Sequence, residues 1–295
     1  QQLVRINSVN PELAPGARGE GEVVAFLRDY LAGLPVGVEI LEGRPGRPTL
    51  VATLPGTGGG RSLMLNAHTD TVGVEGMVDP FSGRIENGRL YGRGSYDMKG
   101  GLAAAVEAFA EVARSGPLAG DLVLAAVADE EHGSLGTEEL LRHVRTDAAV
   151  VTEPTALSIC IAHKGFLWTE IRTEGRAAHG SRPDLGVDAN LEMGLVLGRL
   201  AELEEALRRR NPHPLVGCPS LHVARIEGGT AWSTYSAECR LQVERRLVPG
   251  ENVDTALREI QDAAAPHAAR LVFAREAFEA ATGTPFFTCV KSAIQ

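Results

Sequence analysis

Acidic residues and one histidine follow apolar segments in the first half of the chain, a placement that can build a metal centre. Each member comes after a segment that the apolar pattern predicts as a strand. In open α/β sheets the carboxyl ends of parallel strands meet at one edge, where such folds place their ligands. Imidazole and carboxylate groups suit zinc, cobalt and manganese, and a bridged pair of such cations can activate water for hydrolysis. The candidate set is His68, Asp70, Asp97, Glu130, Glu131 and Glu153.

The order and spacing of these residues predict different roles. Asp97 lies centrally in the chain order, which suits a carboxylate that bridges two cations. Asp70 lies two residues after His68, and on a strand that spacing puts both side chains on one face, so Asp70 is predicted to accept the second ring N–H of His68. Glu130 and Glu131 are adjacent and cannot point the same way. One of them is therefore predicted to bind metal and the other to stay free as a base.

Each of these residues also has an ordinary structural explanation. A single histidine such as His68 is more often a half-buried, hydrogen-bonded side chain, and Asp97 in a glycine-rich segment is more often a turn or helix-cap residue. Glu130 and Glu131 alone would form a solvated loop, and Glu153 before a proline would form a turn. Because four separate segments carry such residues, a common site is the better interpretation.

The elements that must position these residues can be predicted from the apolar pattern. Apolar runs separated by helical spacing indicate an α/β sheet with helices on both faces. The predicted helices cover residues 21–32, 101–114 and 137–144, and the predicted strands cover residues 36–41, 49–54, 62–67, 121–128 and 148–152.

A second pattern begins at about residue 159. Alternating strand patterns are joined there by two long helices, and their order describes a ferredoxin-like split βαβ unit. The predicted strands cover residues 167–173, 221–226, 237–245 and 270–274, and the predicted helices cover residues 188–209 and 253–267. The chain is therefore predicted to contain two domains.

The composition excludes several classes of protein. A chain of 295 residues, 44% of them hydrophobic, can fill two cores. Its net charge of -9, without basic runs, excludes nucleic acid and anionic membranes as partners, and no apolar run approaches the ~20 residues of a membrane span. Gln1 opens on an amphipathic pattern and not on a signal segment, and we expect a chain trimmed at its start. The cysteines lack CxxC spacing and are expected to be reduced in a cytoplasmic protein: Cys160, Cys218, Cys239 and Cys289.

Motifs along nearly the whole chain resemble the M20-type metallopeptidases and deacylases, a family that includes acetylornithine deacetylase, succinyl-diaminopimelate desuccinylase and carboxypeptidase G2. In the first half they are Leu65–Val72, Tyr91–Gly101, Asp129–Gly136 and Val151–Pro154. In the second half they are His163–Gly165, Gly175–Ser181, Gly228–Gly229 and Glu244–Glu251.

The resemblance implies a three-layer α/β, zinc-peptidase-like catalytic domain with an inserted ferredoxin-like α+β lid and dimerisation domain. Together with the change of pattern at about residue 159, the resemblance predicts two domains. The catalytic metal-binding domain covers residues 1–158 and 273–295, and the lid and dimerisation domain covers residues 159–272. Relatives carry a further histidine ligand near their C-terminus, whereas the last histidine here is His267, on a predicted lid helix. We therefore expect the catalytic domain to continue in a segment that this sequence lacks.

The resemblance also decides between the two adjacent glutamates. It implies that Glu130 is the general base. It also implies two bound divalent ions, which are zinc, cobalt or manganese, and the site of the second ion is expected to be incomplete. A cis peptide is implied between Asp97 and Met98. The implied ligands are His68 and Glu153 for one ion, Glu131 for the other and Asp97 as the bridge.

Residues of the second half are implied to contact the substrate. His179 resembles a lid histidine that reaches the active site of the other subunit of a homodimer and polarises the scissile carbonyl; as an alternative it caps a turn. Arg246 and Lys164 match positions that hold a substrate carboxylate, although a strand-edge salt bridge also explains them. Ser233 stands where relatives place an asparagine near the substrate, and Gly229 belongs to the same segment.

The preferred hypothesis is therefore a cytoplasmic homodimer that hydrolyses an amide bond in an N-acyl amino acid or short peptide with a free carboxylate, by metal-activated water with Glu130 as base. Two alternatives remain open. The chain could be an inactive or one-metal binding or scaffold homologue, because the C-terminal histidine is absent. It could also be a serine hydrolase that uses Ser134, although His132 replaces the first glycine of the nucleophile-elbow motif.

Overall fold

The computed structural model describes residues 1–294, and the chain forms two compact units, Gln1–Leu157 and Ser158–Gln295. The helices of the first unit are α1 (Gln2–Arg5), α2 (Gly21–Leu31), α3 (Lys99–Ser115) and α4 (Leu135–His143). Its strands are β1 (Gly37–Leu41), β2 (Thr49–Leu54), β3 (Leu63–His68), β4 (Arg84–Glu86), β5 (Arg89–Tyr91), β6 (Leu122–Val127) and β7 (Ala148–Val151).

A mixed five-stranded sheet with the order β1-β2-β6-β3-β7 forms the centre of the first unit. Strand β3 runs parallel to both β6 and β7, whereas β2 is antiparallel to β1 and β6. The register pairs His68 with Val127, so β3 and β6 end side by side. The carboxyl ends of the three parallel strands therefore lie at one edge of the sheet.

Strand β6 explains why this sheet has helices on both faces. All six of its residues are buried, as expected for a continuous apolar strand in the middle of a sheet. Its residue Leu124 packs in one core with Leu27 of α2 and Phe109 of α3. The alternate residue Val123 packs in another core with Leu140 of α4. The first unit is thus a three-layer α/β/α structure, as predicted.

The second unit is built on a four-stranded antiparallel sheet. Its strands are β9 (Gly165–Glu174), β10 (Ser220–Gly228), β11 (Glu238–Leu247) and β12 (Ala269–Arg275), in the order β10-β11-β9-β12. Its two long helices begin at side-chain caps, because Asp188 and Asn252 accept hydrogen bonds from main-chain amides of the first turn. Residues of both helices share one core with Leu167 and Leu241 of the sheet. Two short strands, β8 (Ala162–His163) and β13 (Phe278–Glu279), pair separately, and the helices of this unit are α5 (Ala189–Arg208), α6 (Val253–Ala264) and α7 (Pro285–Ile294).

The order β9, α5, β10, β11, α6, β12 confirms the predicted ferredoxin-like unit. Helix α6 ends at Ala264, earlier than predicted, because Pro266 follows and cannot continue a helix. Strand β12 reaches Arg275 within this sheet, and the predicted domain boundaries at 158, 159, 272 and 273 stay predictions. Among the described residues, no helix combines the length and the apolar character needed to cross a membrane.

Candidate metal centre

The parallel strands of the first unit deliver most of the candidate residues to one edge of its sheet. His68 is the last residue of β3, and Glu130 and Glu131 lie in the turn after β6. Glu153 follows β7 by two residues. These side chains come from distant parts of the sequence and meet because their strands are neighbours in the sheet.

Asp97 reaches the same place from the start of a helix and not from the end of a strand of the main sheet. The strand before it, β5, pairs with β4 in a separate two-stranded hairpin, so the expectation that Asp97 follows a strand of the main sheet is wrong. Asp97 instead lies just before α3, which begins at Lys99. The peptide bond between Asp97 and Met98 is cis, as the resemblance implied. The main-chain amide of His68 donates to the buried sulfur of Met98 at 3.1 Å, which joins this segment to the end of β3.

The carboxylates surround one nitrogen of His68. Its Nε2 atom lies 3.1 Å from Oδ1 of Asp97, 3.7 Å from Oε1 of Glu153 and 3.9 Å from Oε2 of Glu130. Potential ligand atoms lie within 4.8 Å of one another in two overlapping groups, His68 with Asp97 and Glu131, and His68 with Glu130 and Glu153. The His68 side chain is 1% exposed and that of Asp97 54% exposed, so the histidine lies at the base of the group.

The glutamates of this group hold protons more strongly than ordinary glutamates. Burial raises the pKa of Glu131 to about 7; His68 opposes this rise, and the carboxylates of Asp97 and Asp70 add to it. Burial likewise raises the pKa of Glu153 to about 7, and that of Glu130 is raised for the same reason. A positive charge nearby would therefore stabilise the ionised form of each glutamate.

The pKa of the histidine in this group is raised as well. Burial lowers the pKa of His68, but hydrogen bonds to Asp70 and Asp97 outweigh it and raise the pKa to about 11. The hydrogen bond from His68 lowers the pKa of Asp97. Within residues 1–294, His68 is the only cationic partner of Asp97, Glu130 and Glu153 in an ion pair. One imidazole and four carboxylates with so little compensating charge fit divalent cations as ligands.

Asp70 does more than its spacing from His68 predicted. Its main-chain oxygen lies 2.9 Å from Nδ1 of His68, and its carboxylate oxygen Oδ1 lies 3.5 Å from the same nitrogen. That carboxylate also accepts hydrogen bonds from the main-chain amides of Glu130 at 3.0 Å and Glu131 at 3.2 Å. The side chain of Asn10 donates to it at 2.7 Å. Sequence analysis missed Asn10, because no local spacing relates it to a residue 60 positions away.

In the second unit, the structure brings the segments of His179 and Ser233 together. The main-chain amide of Gly180 donates to the oxygen of Ser233 at 2.7 Å, and His179 forms a bridge with Thr234. The His179 ring is exposed, and its Nδ1 lies 2.9 Å from Oγ of Ser181.

The other predicted substrate residues of the second unit have protein partners. Arg246 donates to both carboxylate oxygens of Glu244, at 2.7 and 3.2 Å, and its guanidinium lies 5.3 Å from the ring centroid of Phe166. Lys164 donates through Nζ to the main-chain oxygen of Cys218. Gly229 has a φ of +88°, a backbone conformation that favours glycine. The substrate roles of Arg246, Lys164, Ser233 and Gly229 stay predictions.

Two smaller expectations concern side chains outside the metal centre. Ser134 lies just before α4 in a left-handed conformation, and in the described part of the chain no histidine hydrogen-bonds to its hydroxyl. The serine-hydrolase alternative therefore gains no support. The four cysteines are free thiols, as expected.

Comparison with known proteins identifies relatives in sequence. A model of the Peptidase family M20/M25/M40 matches residues 64–291. The acetylornithine deacetylase of Proteus mirabilis (strain HI4320) is 34% identical over 272 residues, which cover 88% of this chain and 69% of that protein. The acetylornithine deacetylase of Vibrio cholerae serotype O1 (strain M66-2) is 33% identical over 273 residues, covering 88% of this chain and 71% of that protein.

Solved structures show the same fold. An M20 family metallo-carboxypeptidase from Sulfolobus solfataricus has a TM-score of 0.79 at 18% identity, covering 99% of this chain and 82% of that one. Human carnosine dipeptidase 1 has a TM-score of 0.69 at 19% identity, covering 99% of this chain and 80% of that one. The family match, the deacetylase relatives and the shared fold agree with the His-carboxylate cluster at the strand ends. The chain belongs to peptidase family M20/M25/M40 and is a metallo-amidohydrolase.

Proposed function

We propose that this protein hydrolyses the amide bond of an N-acyl amino acid or a short peptide-like substrate with a free carboxylate. The observation that carries the proposal is the convergence of Asp97, Glu130 and Glu153 on one nitrogen of the buried His68, with Glu131 in the same cluster of potential ligands. The relatives named above, a deacetylase, a carboxypeptidase and a dipeptidase, support this class of substrate.

The residues proposed to hold metal form two overlapping sets. His68, Asp97 and Glu153 would hold one divalent cation, and Asp97 together with Glu131 would hold a second. Zinc, cobalt or manganese suits this mixture of imidazole and carboxylate ligands. The chemistry that such ions supply when bound is polarisation of the scissile carbonyl and a lower pKa of water.

Glu130 is proposed as the general base. Its carboxylate is half exposed, so water can reach it, and burial of its other half raises its pKa. A carboxylate with a raised pKa can take a proton from water and later give it to the departing amine. The Asp70 carboxylate holds the main-chain amides of Glu130 and Glu131, and so fixes which way each glutamate points.

The second unit is proposed to supply the substrate contacts in a homodimer. His179 of the partner subunit donates a hydrogen bond to the oxyanion that develops on the scissile carbonyl. The exposure of His179 supports this role, since a substrate can reach its ring. Arg246 and Lys164 are proposed to hold the substrate carboxylate, beside Ser233 and Gly229.

A substrate screen with one base variant tests the proposal. The cobalt- or zinc-loaded protein is assayed with N-acetyl amino acids, N-succinyl amino acids and dipeptides. The variant Glu130→Gln should bind as much metal as the parent protein but lose about 10²- to 10⁴-fold in kcat, the usual contribution of a general base. Glu111→Gln, at an exposed position of α3, is the matched control. Full turnover by metal-loaded Glu130→Gln would contradict the proposed mechanism.

A further inference from the structure

A continuous chain of buried polar side chains lies directly behind the turn that carries Glu130 and Glu131. Its members are far apart in sequence. Asn10 lies well before α2 and Glu20 directly before its first residue, whereas Arg47 precedes β2 and Asp129 follows β6. Glu20, Asn10 and Asp129 are fully buried, and Arg47 is only 5% exposed. We refer to Arg47, Glu20, Asp129 and Asn10 as the support chain.

Arg47 forms one end of the support chain. Its Nη2 atom donates to Oε1 of Glu20 at 2.7 Å and to Oδ1 of Asp129 at 2.9 Å, and its Nε donates to Oε2 of Glu20 at 2.9 Å. A guanidinium suits this position because its donors have a fixed planar geometry that fits carboxylates. Arg47 therefore fixes the Asp129 carboxylate against Glu20.

Asn10 joins Asp129 to the metal centre. Its side-chain nitrogen donates to Oδ1 of Asp129 at 2.9 Å and to Oδ2 of Asp70 at 2.7 Å. The side-chain oxygen of Asn10 accepts a hydrogen bond from the main-chain amide of Glu12. The main-chain amide of Asn10 donates to the main-chain oxygen of Thr71. Because the amide oxygen is engaged elsewhere, both donors of the NH2 group point at the two carboxylates.

The turn is held from two sides. Asp129 has a left-handed backbone with a φ of 64°, and its own amide donates to Oε1 of Glu20 at 3.2 Å. On the far side, the amides of Glu130 and Glu131 donate to the two oxygens of Asp70. The main-chain amides of three consecutive residues, Asp129, Glu130 and Glu131, are therefore all held by buried carboxylates. This stretch of main chain sets the direction of both glutamate side chains.

A contribution to stability alone is a weak explanation for this arrangement. Taking several charged groups out of water is costly, and a buried ion pair commonly gives no more stability than apolar residues of the same size. The support chain nevertheless ends on Asp70 and on the residue before Glu130. Catalytic groups need such support, because small displacements of a base or ligand reduce the rate steeply.

We propose that Arg47, Glu20, Asp129 and Asn10 are positioning residues that, through Asp70 and the backbone of Asp129, hold Glu130 and Glu131 in their working directions. None of the four touches the substrate. The inference rests on the proposed function, because it assigns the support chain to the residues proposed there as base and ligand.

Two variants remove the support chain at different points. Asn10→Ala cuts the link between Asp129 and Asp70, and Arg47→Met removes the guanidinium. Each should lower kcat by about 10- to 100-fold at saturating metal, the range for residues that orient metal-site groups, with KM changed less than about threefold. Arg44→Met, which removes an exposed arginine three residues from Arg47, should keep the parent kcat.

Hydrogen exchange of the metal-free protein gives a readout that does not depend on turnover. The amides of Glu130 and Glu131 should exchange about tenfold faster in Asn10→Ala than in the parent protein, whereas amides within β6 should be unchanged. A merely structural role would instead raise exchange throughout the first unit. If Arg47→Met does not fold, Asn10→Ala decides the question, because it leaves the Arg47–Glu20 pair intact.

The outcomes separate this inference from the proposed function. Unchanged kcat and unchanged exchange in folded Asn10→Ala would overturn the inference, and so would a loss of kcat that disappears on cooling the sample. If Glu130→Gln is inactive while Asn10→Ala is fully active, the proposed function stands and the positioning role fails. If Glu130→Gln is active, the proposed function itself fails.

Discussion

The Nδ1 atom of His68 lies 2.9 Å from the main-chain oxygen of Asp70 and 3.5 Å from the carboxylate of the same residue. Since a carbonyl oxygen can only accept a hydrogen bond, Nδ1 carries a proton and, in the neutral ring, Nε2 keeps its lone pair. Nε2 is the atom that faces the carboxylates. The main-chain carbonyl of Asp70 therefore selects the tautomer of His68 that can bind a metal through Nε2, independently of the Asp70 side chain.

This relationship predicts how Asp70→Ala will behave. The carbonyl that orients His68 remains in the variant, whereas the acceptor for the amides of Glu130 and Glu131 is lost. We expect kcat to fall by about 10- to 100-fold, with a smaller loss of affinity for the first metal equivalent. Steady-state kinetics and calorimetric metal titration measure the two effects. A loss of metal affinity larger than the loss of kcat would show instead that the carboxylate acts mainly on His68.

Metal removal should destabilise the protein more as the pH rises. The raised pKa values of Glu131 and Glu153 mean that the folded, metal-free protein binds protons more tightly than the unfolded chain, so its stability falls as the pH rises from 4.5 through about 7. The stabilising contribution of protonated His68 is complete below 6.5 and is lost as the pH rises towards about 11. A bound cation takes the place of the protons on these side chains.

The measurement is the difference in Tm between cobalt-loaded and chelator-treated protein. This difference should grow between about pH 5 and about pH 8, because protons compete with metal at the lower pH. The variant Glu131→Gln removes one of the two glutamates and should reduce the growth. A difference that stays constant over this range would show that the glutamates do not exchange protons for metal.

The sequence predicted the parts of the site that depend on short-range pattern. The continuous apolar run of β6 identified a buried strand, and the strand ends placed His68, Glu130 and Glu153 at one edge. The alternation of strands and helices in the second half predicted the ferredoxin-like unit. Such features are local, so the periodicity of the side chains reports them directly.

The parts that the sequence did not predict depend on long-range contacts. Asn10 and Asp70 are 60 residues apart, and Arg47 and Asp129 are 82 residues apart. Neither pair has a periodic signature, because each meets only after the sheet has formed. Asp97 was expected to follow a strand of the main sheet for a related reason: the run before it does contain a strand, but this strand pairs in a separate hairpin.

A buried arginine in the second unit predicts an acid-sensitive stability. Arg245 is 1% exposed and donates to Glu251 and Glu259. Burial raises the pKa of Glu251, but the hydrogen bond from Arg245 and its charge outweigh this and lower it. The contribution of Glu251 is therefore present above its unfolded pKa of 4.5 and is lost as the pH falls through its lower folded value.

The variant Glu251→Gln tests this expectation. At neutral pH it should lower the free energy of unfolding by about 1–3 kcal/mol, since Arg245 loses one of its charged acceptors. The difference from the parent protein should shrink as the pH falls below 4.5. Urea unfolding followed by tryptophan fluorescence measures it. Glu227→Gln, in an exposed pair with Arg225, should change the stability little at any pH.

Each active site of the proposed homodimer is predicted to combine residues of both subunits. Glu130→Gln and His179→Ala should each be inactive or nearly so as homodimers, since one lacks the base and the other the oxyanion donor. In a hybrid of the two, one site combines an intact Glu130 with His179 of the partner subunit, and the other site lacks both. Random mixing of subunits should therefore restore about one quarter of the parent activity in a two-fold symmetric dimer. Mixing Glu130→Gln with Asp97→Asn should restore none, because both residues belong to the same cluster of one chain. Hybrids that form, as seen by mass spectrometry, but stay inactive would show that His179 does not serve the partner's site.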